Sequence, residues 1–195
     1  MEQIILAMYS GGLDSLGMIY KLLTDPAYKD YKLHIHHVHN QNVENRDRAE
    51  AVVVPMVLKE LERLGFNFVY SESQIASQPY GQNFLYDSDT INFFAGYICS
   101  ADPDIAYVAM GMQASDTNLA LELRRKRADK ILAAFTDVKK IYPVLDLTKR
   151  EIYDMLPESL RNMFWSCRRP VYTEKSIEPC KRCDTCCKLK DQGIR

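Results

Sequence analysis

Apolar and polar positions along this chain alternate between two rhythms. Short runs of consecutive apolar residues, typical of strands covered on both faces, are followed by stretches with apolar residues every three or four positions, typical of helices. Gln3–Tyr9 reads as the first strand and Leu16–Leu23 as the first helix, ended by Asp25-Pro26. Lys32–His39 is a second strand, and Asp47–Leu64 a long helix stopped at Gly65. Pro55 lies inside that helix and predicts a kink or a late start. Asn67–Ser71 is a third strand, and the polar stretch Glu72–Asp87 predicts a long loop of the kind that forms lids or binding loops. Ser88 or Asp89 caps an apolar helix that runs to Ala101, and Ile105–Met110 is a buried strand ending at Gly111. Asn118–Phe135 is a charged amphipathic helix, Ile141–Val144 a short fifth strand, and Thr148 caps a helix over Lys149–Met155. Beyond Pro157 little periodicity returns before Asp184–Lys190.

Strands alternating with helices predict an α/β fold: an open, mainly parallel five-stranded sheet with helices on both faces. Residues 1–156 are expected to form this domain, and residues 157–195 a small C-terminal module packed on it. Ligands of open parallel sheets sit beyond the carboxyl ends of the strands. Here that edge is expected to gather Ser10–Ser15, His39–Gln41, Ser71–Gln74, Gly111–Asp116 and Asp146–Lys149.

Composition narrows the partners. The 195 residues carry 25 basic and 26 acidic side chains, a formal charge of −1 that calls for neither a nucleic-acid nor a membrane partner. No apolar run approaches a membrane span, and the N-terminus lacks the pattern of a secretion signal, so a cytoplasmic protein with reduced thiols is expected. Of its 6 cysteines, all but Cys99 fall between Cys167 and Cys187. That clustering suits a metal site better than a disulfide framework. Lone Cys99 lies in an apolar helix and reads as a small core residue.

The strongest chemical signal is Ser10-Gly11-Gly12-Leu13-Asp14-Ser15, between the first strand and the first helix. A glycine-rich turn opening a helix aims backbone N–H groups and the positive end of the helix dipole at one spot, which suits a polyphosphate. Gly11 and Gly12 allow close approach, Ser10 and Ser15 add hydroxyls, and Asp14 suggests a Mg²⁺ ion beside the phosphates. Neither commoner nucleotide loop, G-x-x-x-x-G-K-[ST] or G-x-G-x-x-G, is present.

The second signal is Cys180-x-x-Cys183-x-x-Cys186 with Cys167 upstream, four thiols suited to tetrahedral Zn²⁺. Cys187 is the alternative to Cys186, whose spacing continues the series. An iron–sulfur cluster is a competing occupant, and free thiols a third reading.

Ser-Gly-Gly-x-Asp-Ser resembles the PP-loop of the ATP pyrophosphatase superfamily. This implies that Ser10, Gly11, Gly12, Leu13, Asp14 and Ser15 hold the β- and γ-phosphates of ATP while the α-phosphorus stays open to attack. Leu147-Thr148-Lys149-Arg150-Glu151-Ile152, Trp165-Ser166-Cys167 and Pro179-Cys180-Lys181-Arg182-Cys183-Asp184-Thr185-Cys186 resemble the C-terminal half of 7-cyano-7-deazaguanine synthases. Gly111 to Asp116 is similar to that family's stretch after the fourth strand, and Asn40-Gln41 stands where the family has Gly-Gln. The resemblance implies an ATP-dependent ligase that converts 7-carboxy-7-deazaguanine and ammonia to the nitrile, releasing AMP and pyrophosphate. It implies ATP, Mg²⁺ and Zn²⁺ as cofactors, a small-molecule substrate, a homodimer and no direct nucleic-acid substrate. By matched position, Lys149 is a second phosphate contact, Asp116 faces substrate or metal, Cys167, Cys180, Cys183 and Cys186 hold zinc, and Trp165 supports the zinc loop by packing. A solvated helix-start lysine and a helix N-cap are the plainer alternatives for Lys149 and Asp116.

Two segments depart from the family. Asp87-Ser88-Asp89-Thr90-Ile91-Asn92 replaces an Arg-Asn pair, and Asn118–Arg125 replaces a Pro-Asp-Cys-Arg segment, so the chain reads as a short, divergent member. Other adenylating enzymes of the superfamily, amide-forming or sulfur-inserting, and a non-catalytic nucleotide-binding zinc protein are the rival readings. His34, His36, His37 and His39 alternate between two strand faces and are not expected to form a metal site. Arg124-Arg125-Lys126-Arg127 is expected to be a solvated helix face.

Overall fold

Ile4–Tyr9 (β1) is apolar at every position because it is buried on both faces of a sheet. In the computed structural model, which describes residues 3–80, 85–113 and 119–194, this strand lies at the centre. Ile5, Ala7 and Tyr9 face one apolar cluster, and Leu6 and Met8 face another. The parallel partners are Lys32–Gln41 (β2) on one side and Ile105–Met110 (β4) on the other. Val69–Ala76 (β3) and Lys139–Ile141 (β5) form the edges, giving the order β3-β2-β1-β4-β5. This is the expected five-stranded parallel sheet.

Leu13–Thr24 (α1) and Asp47–Arg63 (α2) contribute Leu16, Ile19, Val54 and Leu61 to the cluster around Ile5 and Ala7. Lys149–Met155 (α5) adds Ile152 to that side. Asp87–Ala101 (α3) and Leu119–Ala133 (α4) cover the opposite face with Ala95, Cys99 and Leu132. The C-terminal part holds a small antiparallel pair, Val171–Tyr172 (β6) with Ile177–Glu178 (β7), and Asp184–Asp191 (α6). Phe164, Leu189 and Ile194 tie it to the core cluster of α1 and α2.

Several boundaries differ from expectation for physical reasons. β3 continues through Glu72–Ala76, where a loop is expected, and pairs in register with β2 to Gln41↔Ala76. An edge strand accepts polar side chains on its open side, so its apolar signal is weak. Consequently His39–Gln41 and Ser71–Gln74 lie within the ladder and not in loops beyond it. β5 stops at Ile141 instead of reaching Val144, because Pro143 has no N–H for a ladder. α2 starts without delay at Asp47 and includes Pro55; Ala51, whose carbonyl loses its helical donor there, is exposed to water. Thr148 forms the expected cap, accepting from Glu151 N at 3.2 Å while Glu151 Oε2 accepts from Thr148 N at 2.8 Å.

The histidines of β2 split between faces as their alternation requires. His34 Nε2 and His36 Nδ1 share the Ser71 hydroxyl at 2.6 and 2.7 Å. On the other face, His37 Nδ1–H donates to the Tyr9 carbonyl at 2.8 Å. Burial, reinforced by His34 and His37, lowers His36 to about 4. Burial also lowers His37 to about 4, against the opposing Tyr9 hydrogen bond.

The unfolded chain takes up these protons near pH ~6.5 and the folded chain only near the lowered values, so the unfolded state binds more protons between them. Their contribution is therefore complete above the unfolded value and is lost as pH falls toward about 4. Glu50, which burial lifts to about 7 against the pull of Arg46, slopes the opposite way, since its folded form keeps a proton that the unfolded form has released. Urea unfolding is expected to show stability falling from pH ~7 to pH ~4.5, with at most roughly 3 kcal/mol carried by each histidine. His36→Phe should flatten that slope; a profile parallel to the unsubstituted protein would show that His36 does not titrate on unfolding.

Candidate functional site

The loop between β1 and α1 lies at the carboxyl edge of the central strand, whose two neighbours are reached by crossovers on opposite faces of the sheet. That reversal of strand order is where open α/β sheets leave a crevice. Gly11 turns the chain at φ +78°, a conformation that a side chain disfavours. Gly12 is the N-cap of α1 with no side-chain cap, which keeps the space before the helix open. Ser15 Oγ donates to the Gly12 carbonyl at 3.1 Å and accepts from Ser10 N at 3.2 Å, and lies 3.0 Å from Ser10 Oγ. Gly111, at the end of β4, packs against this turn so tightly that a Cβ would stand 2.6 Å from Ser15 Cα.

Asp14 and Lys149, assigned separately to metal and phosphate, are held together. Lys149 Nζ donates to Asp14 Oδ1 at 2.7 Å and also contacts Oδ2. Lys149 is buried at the start of α5, so it is not a solvated surface lysine. Leu13 is buried beneath the loop and contributes its backbone N–H, which donates to Ser166 Oγ at 3.3 Å. Asp116 lies outside the described residues.

From the loop an open cleft extends between β1, β4 and α3, enclosing about 1100 Å³ with its solvent-filled mouth included. Ser10, Ser15 and Gly111 line one part, Met8, Ile91 and Met110 supply apolar walls, and Arg124, Arg125, Lys140 and Arg168 add positive charge. Arg124 and Arg125 thus border the cleft, which corrects the expectation of a purely solvated face. A helix sequence alone does not show which neighbour its charged side meets. Arg124 stacks on the Tyr86 ring at 4.1 Å, and Lys140 pairs with Asp129 at 2.5 Å.

A charged cluster closes one side. Asp87 accepts from Arg46 at 2.5 Å, Arg168 at 3.0 Å and Asn40 at 3.0 Å. Arg46 also pairs with Glu44 at 2.8 Å and Glu50 at 3.1 Å. Sequence reading misses this cluster, because its members come from β2, the loop before α2, α2, α3 and the C-terminal part. The one available signal is the acidic opening of α3, where the resembling family carries an arginine.

Cys167, Cys180, Cys183 and Cys186 bring their sulfurs within 4.8 Å of one another, while Cys187 is exposed outside the group. Among the described residues no histidine joins a group with metal-binding geometry. Burial raises Cys180, but hydrogen bonds from the backbone N–H groups of Arg182 and Cys183 and from the Cys167 and Cys183 thiols together outweigh it and lower the thiol to about 6. Four thiolates this close repel strongly without a cation, and a tetrahedral Zn²⁺ suits both their number and their closeness. Trp165 lies in the apolar cluster around these sulfurs, and its Nε1–H donates to the Cys167 carbonyl at 3.0 Å. Its backbone N–H donates to the Gly11 carbonyl at 2.8 Å. One short segment therefore supplies one of the four clustered sulfurs, a support for the glycine turn and, through Arg168, a contact to Asp87.

Comparison with solved structures aligns 98% of this chain, at a TM-score of 0.55 and 20% identity, with the U34-tRNA thiolase NcsA from Methanococcus maripaludis, solved with its 4Fe–4S cluster. The likeness is one of fold. It spans 64% of the thiolase chain. No family model matches the chain, and no curated protein matches it. No described helix is long and apolar enough to cross a membrane.

Gly111→Ala should drive a methyl into the backbone of the loop. The expected result is a loss of about 1–3 kcal/mol in urea unfolding and at least tenfold weaker ATP binding by calorimetry. Unchanged binding would show that the β4 end does not shape the glycine turn for a ligand. Cys183→Ser should lose bound metal by elemental analysis and lower the melting temperature. A metal-replete variant would remove Cys183 from the ligand set.

Proposed function

We propose that this protein activates a carboxylic acid by adenylation and carries it, with ammonia, through the amide to the nitrile, the acid being 7-carboxy-7-deazaguanine. The observation that carries the reading is the Ser10–Ser15 turn opening α1 beside Lys149, at the mouth of a cleft lined by further cations. The turn would hold the two outer phosphates, leaving the inner phosphorus for the carboxylate oxygen. Attack there releases pyrophosphate and gives an acyl adenylate, whose charge no longer repels ammonia. Ammonia displaces AMP to form the amide. A second ATP adenylates the amide oxygen with release of a second pyrophosphate, and loss of AMP with the remaining N–H protons leaves the carbon–nitrogen triple bond. Lys149 places positive charge where pyrophosphate departs, and Asp14 is the carboxylate that would hold Mg²⁺ for the same purpose. Asp116 is proposed to face the substrate. The protein would act as a homodimer in the cytoplasm, on a small molecule and not on nucleic acid.

Cys167, Cys180, Cys183 and Cys186 are proposed to hold structural Zn²⁺. Zinc bonds of about 2.3 Å set sulfurs roughly 3.8 Å apart, close to the observed grouping, whereas a four-iron cube spreads its cysteine sulfurs more widely. Four protein ligands leave no open position for catalysis.

A second reading, sulfur insertion into tRNA, is favoured by the likeness to the thiolase fold and by Arg124 and Arg125 beside the cleft. Incubation with ATP, ammonia and 7-carboxy-7-deazaguanine should yield AMP, pyrophosphate and the nitrile by mass spectrometry. ADP as the nucleotide product would contradict the loop assignment, and thiolated tRNA formed with a sulfur donor would support the second reading. Asp14→Ala and Lys149→Met should each cut turnover by about 100-fold or more with the fold retained. The purified protein should contain zinc and no iron.

A further inference from the structure

Two buried asparagines next to the loop have their nitrogens engaged and their oxygens unsatisfied. Asn92, 4% exposed on α3, donates from Nδ2 to the Ser88 carbonyl at 2.7 Å, which fixes the amide orientation. Its Oδ1 is buried with no partner, as is Ser88 Oγ, and both residues line the cleft beyond the glycine turn. Asn40 repeats the arrangement in the smaller adjoining cavity. Its Nδ2 donates to Asp87 at 3.0 Å and Thr90 at 3.2 Å, and its Oδ1 is unpartnered. Buried polar atoms are normally satisfied, and those left over at a cleft mark groups that a ligand completes.

The missing partner follows from the chemistry. An amide oxygen only accepts, so Asn92 requires an N–H or O–H donor; Ser88 can donate or accept. Met8, Ile91 and Met110 offer flat, adaptable apolar contact. An aromatic heterocycle carrying an exocyclic amino group satisfies all three conditions, placing the amino hydrogens on Asn92 and a ring nitrogen or N–H on Ser88. We propose that Asn92, assisted by Ser88, reads the amino-bearing edge of a purine-like ring and sets the ring specificity of this cleft. Adenine of ATP and a deazaguanine acid share that chemistry. The acid arm of the test rests on the function proposed above.

Calorimetric titration with two matched pairs tests the assignment. One pair is ATP and purine riboside triphosphate, which lacks the 6-amino group; the other is 7-carboxy-7-deazaguanine and its analogue lacking the 2-amino group. In one pair the parent should bind about 10- to 100-fold tighter than the des-amino compound. The pair showing the difference identifies the ring that Asn92 reads. Asn92→Ala should reduce the difference to within about twofold by weakening the parent alone, and Ser88→Ala serves as a second, milder variant. Tight binding of both parents with no discrimination in either pair overturns this inference and leaves the proposed function intact. Failure of both parents to bind overturns both. Discrimination that persists unchanged in Asn92→Ala and Ser88→Ala assigns the ring to other residues and overturns the inference.

Discussion

Everything at the candidate site depends on a few backbone and side-chain bonds between Trp165-Ser166-Cys167-Arg168 and the glycine turn. The Gly11 carbonyl accepts from Trp165 N, Leu13 N donates to Ser166 Oγ, and Cys167 is one of the four clustered thiols. Within the turn, whose helix has no side-chain cap and whose Gly11 has a positive φ, Ser15 bonds to Ser10 and Gly12, and the bonds from outside add to that rigidity. The cysteine group, far from the glycine turn in sequence, can therefore shape the turn without touching it.

A second constraint is charge. Lys149 is buried against Asp14, and Arg46 is surrounded by Glu44, Glu50 and Asp87. Buried ions survive only when paired, and removing one member leaves the other uncompensated. The Asp87 cluster borders the cleft, and the Lys149–Asp14 pair sits at the glycine turn. One consists of a lysine and an aspartate that a polyphosphate with its cation would separate. The other ties the cysteine segment, through Arg168, to the first turn of α3.

Local signals were legible in the chain. The glycine turn, the Thr148–Glu151 cap, the alternation of His34 to His39 and the cysteine spacing each concern neighbouring residues. The stereochemistry of a few peptides determines them. The centre of the sheet was equally readable, because β1 is apolar on both faces. What escaped depends on distant partners. β3 extends to Ala76 because an edge strand tolerates Glu72 and Gln74. Arg124 and Arg125 border the cleft because α4 packs with that side toward the strand ends. The Asp87 cluster joins residues from β2, the loop before α2 and the C-terminal part, and no spacing rule links them.

The strand order also has a temporal side. β1 precedes its neighbours in the chain, yet its flank on one side is β4, about a hundred residues downstream, and Trp165 comes later still. Parallel pairing across such separations incurs its chain-entropy cost before contacts repay it. The glycine turn thus waits for segments far downstream of it before it can take its final shape. Until then its apolar strand is an unpaired edge, which a nascent chain must keep from its neighbours.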